Sequence, residues 1–302
     1  MPSRTVRVFQ IDAFTNRLFA GNPAGVVLGG AHLSEDEMQA IARELNNADS
    51  AFVLPPSASD HDVHLRFFTP SREVAFVGHA TVAAHVARLA AGECTVGHFR
   101  QRSRSGVFDV KLSGTAEQPA VEVTYPAPAE PVPVNEAMRS QLLDILGLDT
   151  AALDMRCPPS VIGKASTRLL LGLRSAEQLA ALTPDFEALK RFTPHVGADG
   201  YFLFVRDAHG PGTTESRMFC PVIGIPEDPV SGNAHGMLGA YLVQHGLLDV
   251  NDGCAQLTGY QGRSMHRPGE VQVKILVDGT RASHVQITGS ARIVYSTDIS
   301  LD

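Results

Sequence analysis

The chain has 302 residues with 44% hydrophobic and 19% charged residues, enough for about two domains with sizeable cores and too apolar for a disordered protein. Its net charge of −7, with no run of lysine or arginine, argues against a nucleic-acid partner. No apolar run is long enough to span a bilayer, and no secretory leader precedes the first alternating segment, so a cytoplasmic protein with no membrane partner is expected.

Val6–Phe14 alternates as a strand, and the turn-rich stretch 16–28 leads into a second one, with Gly21-Asn22-Pro23 expected as a tight turn. Ser34 followed by Glu37 predicts a capping box opening a helix to Leu45, buried along Leu33, Met38, Ile41 and Leu45. Asp49 then stands at the entry to the apolar strand Ala51–Leu54, where a carboxylate either caps a turn or serves function. Val63–Phe68 is a strand. Val77–Ala90 is a helix apolar nearly all round, the mark of an element inside the fold. Strands are expected at 107–112 and 121–125. The run PAPAEPVP, 126–133, is a semi-rigid linker near mid-chain.

Beyond it, 135–146 reads as a helix, 158–173 as loop and strand, 176–182 and 184–191 as short helices, and 201–205 as a strand. A second apolar helix begins near Val230, and strands at 271–277 and 283–295 close the chain. The last strand is expected to return to the first half. The expected domains are therefore residues 1–127, joined by 284–302, and residues 128–283.

The two apolar helices share an approach. Arg66-Phe67-Phe68-Thr69-Pro70 precedes Val77-Gly78-His79-Ala80, and Arg217-Met218-Phe219-Cys220-Pro221 precedes Ser231-Gly232-Asn233-Ala234. This echo points to a duplicated fold. Helix starts leave backbone N–H groups unpaired and carry partial positive charge, so two glycine-led starts suit an anionic ligand. His79, at the first turn of its helix, can donate to a carboxylate or move a proton. Asp228 either caps the following helix or takes part in the chemistry. His85 and His245 read as core or surface residues rather than ligands. The four cysteines, Cys94, Cys157, Cys220 and Cys254, lack CxxC spacing and read as free thiols, and no short histidine spacing suggests a metal.

Four stretches in order, FQIDAFTNRLFAGNPAGVV, ELNNADSAFV, FFTPSREVAFVGHAT and EDPVSGNAHG, resemble the PhzF family of phenazine-biosynthesis isomerases across nearly the whole chain. The resemblance implies a diaminopimelate-epimerase-like α+β fold of two similar domains. In each, strands wrap a central apolar helix, and the active site lies in the cleft between the domains. It implies proton transfer on a small carboxylate with no metal or organic cofactor, and a homodimer. The family's glutamate base falls on Asp49, its histidine on His79, its aspartate on Asp228 and a serine on Asn233. Gly78, Ala80, Ser231, Gly232 and Asn233 would bind substrate. Aspartate is one methylene shorter than glutamate and asparagine is larger than serine, which points to a substrate other than dihydro-hydroxyanthranilate. Related racemases use two cysteines at positions that match Val77 and Ser231, so a two-thiol mechanism is disfavoured. The alternatives are a small-molecule-binding protein with a degenerate site, and a racemase or epimerase of amino or hydroxy acids.

Overall fold

The computed structural model describes residues 4–164 and 166–301. They form an α+β chain of two compact units, one comprising Met1–Tyr125 with Thr288–Asp302 and the other Pro126–Ile287.

In the first unit, β1 (Arg4–Ala13) pairs antiparallel with β2 (Asn22–Leu28) on one side and with the last strand, Ala291–Leu301, on the other. The helix α1 (Glu35–Leu45) carries the chain over to β3 (Asp49–Leu54), which runs parallel to β2, and β4 (Val63–Phe68) returns antiparallel to β3. A short β5 (Glu73–Val74) folds back on β4. Then α2 (Gly78–Ala90) crosses to β6 (Gly97–Ser103), parallel to β4, and β7 (Gly106–Gly114) and β8 (Pro119–Pro126) complete an antiparallel meander.

Sequence determines the key elements here. The Ser34 hydroxyl accepts from Glu37 N–H while the Glu37 carboxylate accepts from Ser34 N–H, so the capping box forms as expected. Met38, Ile41 and Ala42 of α1 then pack on Val6, Val8, Val27, Phe52 and Phe68. Every residue of α2 from His79 to Arg88 is buried, because the helix is wrapped by β1, β2, β3 and the last strand. That enclosure is what its all-round apolar character requires.

The second unit repeats this plan. After β9 (Val132–Pro133) and α3 (Glu136–Leu146), β10 (Ser160–Gly163) pairs antiparallel with β11 (Thr167–Leu173). Two helices, α4 (Ala176–Ala181) and α5 (Phe186–Val196), cross to β12 (Tyr201–Arg206), parallel to β11. β13 (Thr213–Cys220) returns antiparallel to β12, and β14 (Ile225–Asp228) folds back on it. α6 (Gly232–Gln244) and the short β15 (Val250–Asn251) lead to β16 (Cys254–Gln261), parallel to β13. β17 (Gly269–Asp278) pairs with β16, and β18 (Arg281–Gly289) precedes β19 (Ala291–Leu301), the strand already placed beside β1. From β1 to β7 and from β10 to β17 the parallel crossovers and antiparallel returns fall in the same order. The echo in sequence is thus a repeat in fold.

Several expectations change. The stretch 283–295 is not one strand but two, broken at Ser290. Glu227 and Asp228 lie on β14 rather than in a helix-capping loop alone. β6 and β16 were not anticipated, since GHFRQRS and CAQLTGYQ lack an apolar stripe and owe their extension to pairing with β7 and β17. The linker's final two residues, Val132 and Pro133, are zipped onto β10. Helix α5 continues through Pro194 to Val196, ending at left-handed Gly197 rather than near Arg191. Among the described residues no helix is long and apolar enough to cross a membrane, and the four cysteines are free.

Candidate active site

The two central helices begin differently. Among the described residues, five of the six α-helices have a side-chain N-cap: Ser34, Asn135, Ser175, Asp185 and Ser231. The exception is α2, whose N-cap residue is Val77 and whose first internal bond runs from Thr81 N–H to the Val77 carbonyl. The N–H groups of Gly78, His79 and Ala80 at this end therefore receive no cap from a side chain. In the second unit Ser231 stands at the matching position, with its hydroxyl accepting from Ala234 N–H. Val77 and Ser231 are thus both N-caps.

Asp49 and His79 come together in the first unit. Asp49 opens β3 beside Ala24 of β2, and its carboxylate Oδ2 lies 3.7 Å from His79 Nε2, with side-chain exposures of 13% and 9%. Burial lowers the His79 pKa to about 4, so the ring is neutral at neutral pH. Its Nδ1 lies 3.3 Å from the side-chain nitrogen of Asn22. Ala80 is wholly buried.

Asn22 was read only as a turn residue. It is instead the first residue of β2, opposite Ala13, and fully buried. The chain reaches it through Gly21, at φ 62°, where an added Cβ would sit 2.1 Å from the Ala13 carbonyl oxygen, so that only glycine fits. Pro23 continues the strand opposite Asp12. The segment GNPAG is therefore a strand entry delivering an amide to His79. The signal in the sequence is a polar Asn enclosed by Gly and Pro at the head of an apolar run.

In the second unit Asp228 ends β14, three residues before Ser231. Gln261, at the end of β16 and 1% exposed, ties this turn down. Its amide nitrogen donates to the Asp228 carbonyl at 2.6 Å, and its oxygen accepts from Ser231 N–H at 3.1 Å. Nothing in the sequence marks Gln261. Gly232 is buried, and Asn233 is half-buried at the first turn of α6.

The Arg-x-Phe-x-Pro echo has a structural purpose. Arg66 on β4 makes a two-pronged pair with Glu73 on β5, both bonds 2.8 Å. Arg217 on β13 pairs the same way with Glu227 on β14, at 2.9 and 2.8 Å. In each case the Phe two residues on lies opposite the glutamate and beneath the guanidinium, at 5.1 Å for Arg66 and 4.9 Å for Arg217. Each clamp fixes the hairpin from which its central helix is launched.

Both central helices also bury a histidine deeper in the core. Nε2 of His85 donates to the Gln101 oxygen at 2.9 Å while Nδ1 accepts from Arg88 at 3.2 Å, and burial lowers its pKa to about 3. The Nδ1 of His235 lies 2.7 Å from the Ser231 carbonyl, and burial lowers its pKa to about 4. His85 is thus a satisfied core residue, as expected. Together with His79, these rings refuse protons that the unfolded chain accepts below pH about 6.5. Between there and about pH 4 the unfolded state binds more protons, so stability must fall as pH falls. We expect the thermal midpoint to drop steadily over this window. Each ring contributes up to about 1.4 kcal/mol per pH unit, and calorimetry in buffers of differing ionisation heat should show uptake approaching three protons on unfolding. A flat midpoint from pH 7 to 4 would contradict the buried, neutral rings.

A model for phenazine biosynthesis-like proteins matches residues 11–297. The chain is 35% identical over 299 residues to the uncharacterized isomerase YddE of Escherichia coli strain K12, covering 98% of this chain and 99% of that one. It is 31% identical over 287 residues to the trans-2,3-dihydro-3-hydroxyanthranilate isomerase of Pseudomonas aeruginosa, covering 94% and 95%. The crystal structure of a phenazine biosynthesis protein of the PhzF family from Bacillus anthracis superposes with a TM-score of 0.87 at 25% identity, over 99% of this chain and all of that one. With a family match over almost its whole length and the repeated fold to go with it, this chain belongs to the PhzC–PhzF family of phenazine biosynthesis-like proteins.

Proposed function

We propose that the protein is a cofactor-independent isomerase that moves a proton between carbons of a small carboxylate metabolite. The observation that carries this reading is the Asp49 carboxylate lying 3.7 Å from the buried, neutral His79 at the uncapped start of α2. Asp49 removes the proton and returns it elsewhere, from a side chain only 13% exposed. The N–H groups of Gly78, His79 and Ala80 hold an anionic group of the substrate. In the second unit, Asp228, Gly232 and Asn233, on the turn held by Gln261, are the candidate substrate contacts, with Ser231 setting the start of α6. The resemblance places the family's glutamate and serine at Asp49 and Asn233, and these two changes favour a small carboxylate other than dihydro-hydroxyanthranilate as the substrate. Val77 and Ser231 are no acid–base pair, which weighs against a two-thiol racemase.

The test is incorporation of solvent deuterium. Small unsaturated and 2-substituted carboxylates are incubated with the protein in heavy water and followed by NMR. At least one should acquire deuterium at carbon and change its double-bond or proton position. Saturable binding without any carbon-bound deuterium would favour a binding protein instead.

A further inference from the structure

The side-chain nitrogen of Asn22 can only donate a hydrogen bond, and it faces His79 Nδ1 at 3.3 Å. Nδ1 must then present its lone pair, and a neutral imidazole in that state carries its proton on Nε2. Nε2 is the atom turned toward Asp49 at 3.7 Å, buried and without a hydrogen-bond partner among the described residues. A carboxylate opposite this nitrogen selects the same tautomer, because a lone pair facing it would be repelled. The gap to Asp49 exceeds a hydrogen bond, so the donor is uncommitted and can turn to a substrate oxygen.

From this geometry we propose that Asn22 is a positioning residue that locks His79 as its Nε2–H tautomer, making His79 a neutral hydrogen-bond donor rather than a proton acceptor. Its catalytic consequence rests on the isomerase reading above. A neutral donor held in a buried site stabilises charge developing on substrate without reorganising, and leaves proton abstraction to Asp49. The backbone supports the arrangement: Gly21 admits the close approach to Ala13, and the β1–β2 register fixes the amide at the mouth of α2.

The tautomer is read directly from long-range proton–nitrogen correlation spectra of the 15N-labelled protein at neutral pH, with His79→Gln identifying the signals. His79 should show a protonated Nε2 and an unprotonated Nδ1. Asn22→Asp replaces the donor by an acceptor and should draw a proton onto Nδ1; with an exchanging substrate in hand, it should lower kcat about 100-fold with little change in KM. A wild-type His79 protonated on Nδ1 overturns the proposal, as does an Asn22→Asp variant with unchanged ring nitrogens. Should that variant not fold, the wild-type spectrum decides alone. The spectra need no substrate, so a failure of the isomerase reading leaves the tautomer result standing, and a wrong tautomer leaves the role of Asp49 intact.

Discussion

Replacing Asp49 with asparagine should reduce deuterium incorporation by about 100- to 10,000-fold, the range contributed by a positioned general base. The substitution is close to isosteric and removes only the ability to take a proton. The strand entry should survive it, since Asp49 is held by backbone pairing with Ala24 and the following Ser50 pairs with Phe68. Unfolding midpoint and ligand affinity should stay near wild type while turnover is lost, separating a catalytic role from a turn-capping one. Asp49→Glu is a second, graded probe. It keeps the carboxyl group but shifts it by about 1 Å, a displacement that costs on the order of 100-fold where geometry is fixed. A fully active Asp49→Asn variant would remove the base from the mechanism. A variant that is unfolded at neutral pH would reassign Asp49 to the structure of the strand.

The parts of this site legible in sequence were those written in local pattern. The capping box of α1 needs only Ser34 and Glu37, three residues apart, and forms as read. The apolar character of α2 and α6 gave away their enclosure, and the doubled Arg-x-Phe-x-Pro gave away the repeat. What local pattern does not encode is partnership across long separations. His79 meets Asn22 from 57 residues away, and Gln261 reaches Asp228 across 33. Both contacts depend on the pairing of strands, which places residues by register and leaves no periodic trace. Polar strands such as β6 were missed for a related reason: GHFRQRS is extended because β7 lies beside it, not because its own composition demands it. The clamps were half legible. The arginines stood out, but the glutamates that complete them lie at unequal distances, seven residues on in one unit and ten in the other.

The second clamp carries the largest expected effect on stability. Arg217→Met should destabilise the protein by about 3–5 kcal/mol, the usual cost of leaving one charge of a buried pair uncompensated. Arg217 is 7% exposed, and besides holding both Glu227 oxygens it donates to the Leu179 and Leu182 carbonyls at 3.1 and 2.7 Å, closing the end of α4. Among the described residues Arg217 is the cation that pairs with Glu227. Its counterpart is better insured: Glu73 also meets Arg104 at 3.3 Å, and Arg66 is itself more exposed. Arg66→Met should therefore cost clearly less than Arg217→Met in denaturant unfolding. Adding Glu227→Gln to Arg217→Met should recover a substantial share of the loss, because the stranded charge is then gone while the unpaired carbonyls remain. Since Asp228 follows Glu227 directly on β14, the single variant should also lose activity under conditions where it is still folded. Equal costs at the two arginines, or no recovery in the double variant, would mean that the hairpin before α6 is held by its backbone ladder alone.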